Sequence, residues 1–378
     1  MPNKKTITQA FIERFQKKPP VIVRAPGRVN LLGEHTDYND GFVLPMAIDR
    51  ATWLALQPRT DQKVIIHSLD FHDTGTFDLN EFKNEGAGWL EYAKAVAWSM
   101  QADNMSIKGW EGVAASDIPI GAGLASSAAF IMAVTRAFAE VSKLRWNEKS
   151  AAALGLKAER EWIGVDCGIM DQMVISLAKT GYAFFLDCRS LKYDHIRFPF
   201  NIQMVVMDTT SRHELVSSVY NERHEQCTKA AQLMGVRSLR EVSPQHFDHL
   251  SMNLDETLLR RARHVVNENF RVVEAVPALM FGNATRFGQL LRESHASLKE
   301  DFEVSTRSLN QIVEIAQEHS ACFGARMTGA GFGGCAIAAV RKGGVKDFMT
   351  FVSRQYLLAT GTSPVLYTCA ANQGTSTA

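Results

Sequence analysis

Long apolar runs are missing from this sequence. No segment approaches the roughly 18 consecutive apolar residues that mark a membrane-spanning helix. The opening residues, MPNKKTITQAFIERFQKK, are charged throughout and lack the apolar core of a signal peptide. The six cysteines are scattered among 378 residues without a CxxC pair. These absences predict a reduced, cytoplasmic protein that spans no membrane.

The sequence also lacks an excess of charge of either sign. Lys and Arg together number 41, against 40 for Asp and Glu, whereas nucleic-acid-binding proteins depend on a basic surface. A local basic cluster at 260–264, interleaved with Leu and Val, is typical of the solvated face of a helix. The eleven histidines show no HExxH or similar ligand spacing. We therefore expect neither a nucleic-acid partner nor a structural zinc site.

Apolar residues, by contrast, are plentiful at 46%, against 21% charged residues. Since 378 residues exceed what one hydrophobic core usually serves, we predict two domains. Strand and helix patterns do not alternate regularly, which indicates the α+β class. We place the domain boundary near residue 200, with an N-terminal domain at 1–200 and a C-terminal domain at 201–378.

The order of apolar and polar residues predicts the main elements. Helical spacing indicates helices at 6–18, 125–143, 147–162 and 168–179, and several more between 213 and 318. Residues of high β-propensity indicate strands at 21–26, 51–57, 63–68, 111–115, 182–191, 335–340 and 365–370. The small, polar residues at 372–378 are predicted to be disordered.

The first of three glycine-bearing segments is PIGAGLASSAA at 119–129. Gly121 and Gly123 precede a predicted helix, whose free N–H groups and positive dipole end suit a phosphate. Ser126 and Ser127, in its first turn, can reach phosphate oxygens or Mg²⁺. Because no Lys follows the glycines, the segment is not a P-loop. A tight turn before a serine-rich helix is the competing interpretation.

The second segment, PGRVNLLGEHTDYNDG at 26–41, follows a predicted strand and is rich in polar side chains. Glu34, His35 and Asp37 are residue types that bind sugar hydroxyls in fixed directions. Arg28 can offset the charge of a phosphoryl group in transfer. A solvated polar loop is the alternative here.

The third segment, GARMTGAGFGGC at 324–335, contains five glycines. Such a density favours either close approach of the backbone to a ligand or a tight connection between strands. Three segments of this kind in one chain indicate a shared function.

In order and spacing, the three segments resemble the motifs of the GHMP small-molecule kinases. GRVNLLGEHTDYNDG further resembles the galactokinase signature almost residue for residue, whereas mevalonate kinases lack the EHTDY element. The similarity continues in CGIMDQ at 167–172, LDCRSL at 186–191, YNERHEQC at 220–227 and SHASLKEDFEVS at 294–305. It therefore covers nearly the whole chain.

This resemblance implies the two-domain GHMP kinase fold: an N-terminal domain like the second domain of ribosomal protein S5, and a C-terminal helix-flanked antiparallel sheet. It implies Mg²⁺-dependent transfer of the γ-phosphoryl group of ATP to the C1 hydroxyl of α-D-galactose. ATP, Mg²⁺ and the sugar are the expected partners, and no pattern indicates a particular oligomeric state. The alternatives are a kinase for N-acetylgalactosamine or L-arabinose, and a non-catalytic galactose and ATP sensor.

The resemblance also implies roles for single residues. Asp171 and Arg28 are the predicted catalytic pair, since a carboxylate can take the proton of the C1 hydroxyl and an arginine can stabilise the moving phosphoryl group. Ser127 and Glu159 are the predicted Mg²⁺ ligands. Glu161 competes with Glu159 for that role.

The other implied contacts divide between sugar and nucleotide. The predicted galactose contacts are Glu34, His35, Thr36, Asp37, Gly168, Asp171 and Tyr220. The predicted ATP contacts are Ser68, Trp89, Gly121, Ala122, Gly123, Leu124, Ala125, Ser126 and Ser127. Ala125 stands where galactokinases usually have a serine, and Ala330 where they usually have a glycine. Mevalonate kinases tolerate similar changes, so we expect both to be neutral for catalysis.

Overall fold

The structure of the chain, a computed structural model, describes residues 2–211 and 216–378. The α-helices are α1 (Lys4–Phe15), α2 (Leu90–Ala102), α3 (Ser126–Ser142), α4 (Glu148–Lys157), α5 (Met170–Leu177), α6 (Val216–Leu233), α7 (Pro244–Leu250), α8 (Glu256–Met280), α9 (Ala284–Glu300), α10 (Arg307–Glu318) and α11 (Val345–Thr360). A π-helical turn (Ala158–Ile163) continues α4, and 3₁₀ turns lie at Asp37–Asn39, Leu239–Glu241 and Lys342–Gly344. The strands are β1 (Val21–Asn30), β2 (Phe42–Val43), β3 (Pro45–Pro58), β4 (Lys63–Ser68), β5 (Asp73–Asp78), β6 (Trp110–Ser116), β7 (Tyr182–Asp187), β8 (Lys192–Arg197), β9 (Ile202–Asp208), β10 (Cys322–Met327), β11 (Cys335–Arg341), β12 (Val365–Cys369) and β13 (Ser376–Thr377).

The first half of the chain is built on a sheet with the order β13-β1-β3-β6-β4-β5. In it β4 and β6 run parallel, and the other neighbours antiparallel. Successive residues of β3 face opposite sides, as the two-residue period of a strand requires. Leu54 and Leu56 enter the core shared with α3 and α5, whereas Ala55 packs against α1. A smaller sheet, β2-β7-β8, adjoins β3.

The second half contains an antiparallel sheet with the order β10-β11-β9-β12. This sheet separates two cores, because alternate residues of β9 point to opposite faces. Met204 and Val206 enter the core of the first half, and Val205 and Met207 enter a second core. Strands β10 and β11 and helices α6 to α11 contribute most of the rest of that second core.

Helix α8, 25 residues long, connects the two cores. It starts after Asp255, whose side chain caps the helix by accepting the Leu258 N–H at 2.8 Å. Val265 lies in the second core, whereas Val272 and Ala275, further along the helix, lie in the first. The middle of α8 therefore lies where the two halves of the chain meet.

The α+β class is confirmed, and so are most predicted elements. The helices predicted at 6–18, 125–143 and 168–179 correspond to α1, α3 and α5, with ends within three residues of the prediction. The predicted strands at 21–26, 51–57, 63–68, 111–115, 335–340 and 365–370 correspond to β1, β3, β4, β6, β11 and β12. The helical region predicted at 213–318 contains α6 to α10, although 213–215 lie outside the described residues. The sequence patterns do not predict α2, α11, β2, β5, β8, β9, β10 or β13.

Two predicted elements end differently. The helix expected at 147–162 is α-helical only to Lys157 and then widens into the π-helical turn. The strand expected at 182–191 stops at Asp187, because the carboxylate of Asp187 accepts the N–H groups of Arg189 at 3.0 Å and Ser190 at 3.2 Å and closes a turn.

The prediction of a disordered segment at 372–378 is wrong. Ser376 and Thr377 form β13, which pairs with β1 at the edge of the first sheet. Just before it, the Gly374 N–H donates to the carbonyl of Ala178 at 2.9 Å. Small, polar side chains do not prevent this arrangement, because the bonds are made by the backbone.

None of the described helices is both long and apolar enough to cross a membrane. The expected domain boundary near residue 200 falls just before β9, and it stays a prediction.

Candidate active site

The three glycine-bearing segments meet at one cavity of about 520 Å³. We call the second glycine-bearing segment, residues 26–41, the sugar-motif segment. The cavity is bounded by residues 28–37 of this segment, the N-terminus of α3 and the loop between β10 and β11. The predicted contacts that line it are Arg28, Glu34, His35, Asp37, Ser68, Trp89, Gly121, Gly123, Leu124, Ala125, Ser126, Ser127, Glu159, Gly168, Asp171 and Tyr220.

Two predicted contacts do not line this cavity in the described part of the chain. The hydroxyl of Thr36 lies 2.8 Å from the carbonyl oxygen of Gly33 and 2.7 Å from that of Phe42. It therefore stabilises its own turn. Ala122 is fully buried, with its backbone against Gly334. Both residues support the cavity wall from behind.

Arg28 and Asp171 form an ion pair at the centre of the cavity. Nε and Nη2 of Arg28 each donate to one oxygen of Asp171 at 2.7 Å, and Nη1 donates to the carbonyl of Gly123 at 2.6 Å. Burial lowers the pKa of Arg28, but the negative charges of Asp171, Glu34 and Asp37 and the hydrogen bond to Asp171 together outweigh burial, and the net shift of the pKa is upward. The Asp171 side chain is 24% exposed and that of Arg28 7%, so the carboxylate presents an accessible edge.

A β-bulge brings Arg28 to this position. The register between β1 and β3 shifts between Pro26 and Arg28, and the Arg28 N–H donates to the carbonyl of Leu124 at 3.1 Å. A methyl group on Gly27 would lie 2.9 Å from the same oxygen, which favours glycine there. The bulge thus packs β1 directly against the loop that precedes α3.

The loop before α3 has the geometry of an anion-binding site. Positive φ angles at Gly121 (67°), Gly123 (78°) and Ala125 (60°) turn the chain sharply before the helix. Ala125 immediately precedes α3 and has no side-chain oxygen with which to cap it. The free N–H groups and the dipole of this 17-residue helix therefore face the cavity, where they suit a phosphate.

The loop between β10 and β11 packs backbone to backbone against the loop before α3. A methyl group on Gly329 would lie 2.7 Å from the Cα atom of Gly123. The Gly329 N–H donates to Oε1 of Glu34 at 2.7 Å, and the Thr328 hydroxyl donates to the same oxygen at 3.0 Å. The other oxygen of Glu34 accepts from Asn30 at 3.0 Å. Glu34 thus links the second and third glycine-bearing segments.

His35 is held neutral in a fixed orientation. Its Nε2 lies 3.1 Å from the carbonyl of Ala330, which can only accept, so Nε2 carries the proton and Nδ1 accepts from the Tyr38 hydroxyl at 2.8 Å. Burial, and then the charge of His264, lower the pKa of His35 to about 3. The ring centroid of Tyr220 lies 5.4 Å away, which places both rings on one side of the cavity.

Asp37 packs against Gly168, which lies two residues before the start of α5. A methyl group on Gly168 would lie 2.2 Å from the carboxyl carbon of Asp37, so only glycine allows this packing. One edge of Asp37 faces the cavity. Burial, and then the negative charge of Asp171, raise the pKa of Asp37 to about 7.

Glu159 is a buried carboxylate with neutral hydrogen-bond donors. It accepts from the Ser127 hydroxyl at 3.2 Å and from the amide of Gln172 at 2.5 Å. Burial, and then the charge of Asp171, raise the pKa of Glu159 to about 7. The π-helical turn directs Glu159 inward and leaves Glu161 exposed, and π turns are frequent at functional sites.

The opposite end of the cavity is aromatic. The rings of Phe71 and Trp89 stack with centroids 5.9 Å apart and planes 9° apart. The indole N–H of Trp89 donates to Asp73 at 3.1 Å, and the Ser68 hydroxyl accepts the Phe71 N–H at 3.3 Å. A flat, apolar base would fit beside such a pair.

Several residues that line this cavity were not predicted as contacts, among them Phe71, Cys167 and Gln172. Cys167 and Gln172 lie within the CGIMDQ motif near Asp171, and their place in this motif could have identified them as residues of the site. Phe71 lies in the turn after β4, where no residue pattern marks it.

Comparisons with known proteins relate the whole chain to one family of kinases. The galactokinase galactose-binding signature matches residues 9–58, the GHMP kinase N-terminal domain matches 91–179, and the GHMP kinase C-terminal domain matches 273–356. The chain is 41% identical over 371 residues to a galactokinase of Roseiflexus sp. (strain RS-1), covering 96% of this chain and 95% of that protein. It is 40% identical over 377 residues to a galactokinase of Chloroflexus aurantiacus, covering 98% and 97%.

The same relationship appears in solved structures. The Lactococcus lactis galactokinase complexed with galactose superposes with a TM-score of 0.94 at 37% identity, covering 98% of this chain and 99% of that one. A mevalonate kinase of Methanococcus jannaschii superposes with a TM-score of 0.69 at 22% identity, covering 93% and 98%. The second likeness shows the shared two-domain fold.

Proposed function

The chain belongs to the galactokinase family of the GHMP kinases, and we propose that Asp171 and Arg28 carry out its reaction. That reaction is transfer of the γ-phosphoryl group of ATP to the C1 hydroxyl of α-D-galactose, giving galactose 1-phosphate. The observation that supports the residue assignment is the paired Arg28–Asp171 contact, 2.7 Å at each oxygen, at the point where the sugar-motif segment meets the anion-binding loop.

Asp171 is placed to receive the proton of the attacking hydroxyl. The two hydrogen bonds from Arg28 fix the carboxylate plane, while its exposed edge remains available within hydrogen-bond reach of a bound sugar. Three of the five N–H groups of Arg28 are used by Asp171 and Gly123. Within the described part of the chain no hydrogen bond uses the other two, so they are available to stabilise negative charge as the phosphoryl group moves.

The proposed sugar contacts lie on one side of this pair. Asp37 contributes a carboxyl group, Gly168 leaves the space for it, and Tyr220 adds a hydroxyl. Glu34 and His35 form hydrogen bonds with the protein and so shape the pocket. Glu34 keeps carboxylate lone pairs for a sugar hydroxyl, whereas both ring nitrogens of His35 are already used. A buried polar set of this kind discriminates strongly against epimers, because a misplaced hydroxyl leaves a carboxyl unpaired.

ATP is proposed to extend from the N-terminus of α3 to the aromatic end of the cavity. Residues 121–127 would receive the phosphates on backbone N–H groups. The Phe71–Trp89 pair would receive the adenine by stacking. Both ends lie in the same cavity.

We infer that Mg²⁺ accompanies the nucleotide, held by Ser127 and Glu159. Within residues 2–211 and 216–378, no group of three or more acidic, histidine or cysteine side chains is arranged to hold a metal ion. Two protein oxygens, however, suit a cation that takes its other ligands from phosphates and water. The pKa of Glu159 is raised to about 7 because the carboxylate is buried near Asp171, and no described side chain forms an ion pair with it. When bound, Mg²⁺ supplies charge neutralisation of the phosphates.

The cellular setting that we propose is the reducing cytoplasm. None of the six cysteines, all within the described residues, forms a disulfide, and Cys188, Cys227, Cys335 and Cys369 are buried. Reduced cysteines are usual where glutathione keeps thiols free, and ATP is available there as substrate.

A sugar panel tests the substrate assignment. The measurement is kcat/KM for galactose, glucose, N-acetylgalactosamine and L-arabinose at fixed ATP and Mg²⁺. We expect glucose, the C4 epimer, to be very poor, since polar recognition rejects analogues by roughly 10⁴–10⁵. A lead of less than about tenfold for galactose over any other sugar would favour a kinase of broader or different sugar range.

Asp171→Ala tests the catalytic assignment and the alternative of a non-catalytic sensor. Loss of a positioned base lowers turnover by about 10²–10⁴, while the loop at 121–127 that would bind ATP stays intact. Asp166→Ala, at an exposed residue five positions earlier, is the control and should leave kcat unchanged. A sensor would show no phosphoryl transfer even in the wild-type chain.

A further inference from the structure

One face of α8 contacts the sugar-motif segment through side chains that the reaction itself does not use. Glu268 accepts the Gly33 N–H at 2.9 Å. His264, one turn earlier, lies with Nε2 3.1 Å from the carbonyl of Glu34. Asn269 accepts the Phe42 N–H at 2.8 Å. We call His264, Glu268 and Asn269 the loop-holding face.

The loop-holding face is itself anchored. The Ser294 hydroxyl of α9 donates to Glu268 at 2.7 Å, and Ser297 of the same helix lies 2.9 Å from Nδ1 of His264. Arg271 forms an ion pair with Glu268 at 2.6 Å. These contacts give a role to the SHASLKEDFEVS motif, which begins at Ser294. They also hold the side chains of His264 and Glu268 in place.

The backbone held by this face is strained. Gly33 has a φ angle of 97° and His35, which is not glycine, has 63°. A left-handed backbone conformation is unfavourable for a residue other than glycine, and it persists where surrounding contacts over-determine it. A methyl group on Gly33 would also lie 2.7 Å from the carbonyl oxygen of Phe42. The loop therefore needs external support to present Glu34, His35 and Asp37.

Burial of the charged Glu268 carboxylate costs free energy, which a purely structural role would not require. Glu268 is 0% exposed, and a buried charge is weak evidence for stability, since apolar replacements often do as well. Burial raises its pKa, but Arg271 and then Arg326 outweigh burial and lower the pKa of Glu268 to about 2. The carboxylate is thus ionised, which strengthens the hydrogen bond from the Gly33 N–H.

We infer that the loop-holding face of α8, with Glu268 at its centre, positions the galactose-binding segment from outside the site. These are positioning residues: they contact the loop and not the sugar. The inference rests on the proposed assignment of residues 34–37 to galactose. It predicts that changes in this face alter recognition of the sugar much more than recognition of ATP.

The test compares KM for galactose and for ATP in Glu268→Ala and in wild type. Loss of the acceptor leaves a buried N–H unpaired, so we expect KM for galactose to rise by about tenfold or more, with KM for ATP within about twofold. Glu268→Gln keeps an acceptor for the Gly33 N–H and should lose less. Equal losses in the two variants would overturn the role of that acceptor.

The matched control is Val266→Ala on the same helix, because Val266 is buried in the second core. It should lower thermal stability without separating the two KM values. Two outcomes in Glu268→Ala would overturn the inference. One is an unchanged KM for galactose, and the other is an equal rise in the KM values for galactose and ATP. If Glu268→Ala does not fold, the same measurement is made on Asn269→Ala. An unchanged KM for galactose in that variant would also overturn the inference.

Asp37→Ala distinguishes failure of this inference from failure of the proposed sugar contacts. Loss of galactose binding in Asp37→Ala together with normal binding in Glu268→Ala would reject the positioning role alone. Normal binding in Asp37→Ala would reject the assignment of the loop to the sugar. Galactose affinity is measured directly by calorimetry, without turnover.

Discussion

At the scale of single residues, substitutions of the two glutamates in the π-helical turn are expected to affect the Mg²⁺ requirement differently. Glu159 is buried beside Ser127, whereas Glu161 is exposed. Glu159→Gln keeps the shape but removes the negative charge from the proposed Mg²⁺ position. We expect the Mg²⁺ concentration for half-maximal rate to rise by roughly tenfold, which corresponds to about 1.4 kcal/mol. The measurement is initial rate against Mg²⁺ at saturating ATP and galactose.

Glu161→Gln is the control for that titration, because it makes the same chemical change two residues away. Its Mg²⁺ requirement should equal that of wild type. The reverse pattern, with a shift in Glu161→Gln only, would move the metal role to Glu161.

The raised pKa of Asp37 predicts a pH dependence of stability. With a pKa of about 7 in the folded chain and about 4 in the unfolded one, this carboxyl stabilises the fold below pH 4. Its contribution is lost as pH rises to about 7, because folding must then bury a charge. Asp37→Asn should therefore stabilise the ligand-free protein at pH 8 by about 1–3 kcal/mol, discounted for the edge that faces the cavity. It should add little at pH 4.

Urea unfolding of Asp37→Asn and wild type at the two pH values checks this expectation. Asp40→Asn serves as the control, since Asp40 lies in the same loop with a side chain 52% exposed. Equal gains at both pH values would show that the charge of Asp37 is not responsible.

At the scale of elements, the contact between two loops sets the position of the phosphate site. Gly329→Ala would place a methyl group 2.7 Å from the Cα of Gly123, at a φ of 84° that disfavours alanine. The loop before α3 would have to move. We expect kcat/KM for ATP to fall by about tenfold or more, since loss of 1.4 kcal/mol suffices.

Ala330→Gly tests the neighbouring position, where the chain departs from the usual galactokinase sequence. Ala330 offers its carbonyl to His35, and glycine retains that carbonyl. Its kcat/KM should stay near the wild-type value. Similar losses in both variants would mean that flexibility of this loop, and not the close contact, controls ATP use.

The elements of this chain were predictable to the extent that local patterns specify them. Strands β3, β4 and β6 are apolar runs between turn residues, and α3 follows two glycines, so local sequence was sufficient. Strand β13 was not predictable, because Ser376 and Thr377 carry no strand signal and pair only with a distant edge. The π-helical turn was missed for a similar reason: its residues fit an ordinary helix.

The same distinction applies to the site. The motif residues could be named from the sequence because each lies in a short, dense segment. The sequence could not place Thr36 behind the cavity, since its hydroxyl reaches the carbonyl of Phe42 only in the folded turn. Nor could it connect Glu268 with Gly33, which is 235 positions away.

At the scale of the whole molecule, β13 joins the last residues of the sequence to the first sheet. The Thr375 N–H donates to Ile175 at 2.7 Å and the Ala378 N–H to Ile22 at 2.9 Å. Removal of residues 372–378 deletes these bonds and the one from Gly374. We expect a loss of about 2–4 kcal/mol in the free energy of unfolding, at roughly 1 kcal/mol a bond, measured by urea unfolding.

The double variant Ser376→Ala, Thr377→Ala is the control, since it keeps the backbone bonds while removing the two side chains. Its unfolding midpoint should change little. If the shortened chain unfolds at the wild-type urea concentration, β13 contributes nothing to stability.

The second core is built from residues beyond the proposed division near residue 200, whereas the first core takes residues from both halves of the chain. The first core takes Val272 and Ala275 from α8, and β9 sends side chains to both cores. We therefore propose that the two domains unfold as one cooperative unit.

The contact between α8 and the sugar-motif segment has a consequence for synthesis of the chain. A ribosome that has translated residues 1–200 has made every proposed galactose contact except Tyr220. One contact to the backbone carbonyl of Glu34 nevertheless comes from His264, 230 positions later. Contacts of such high sequence separation form late and slowly. From the positioning role that we propose for α8, we therefore expect the nascent polypeptide to gain its affinity for galactose only after α8 has emerged from the exit tunnel, and we expect the sugar not to assist the folding of the first half.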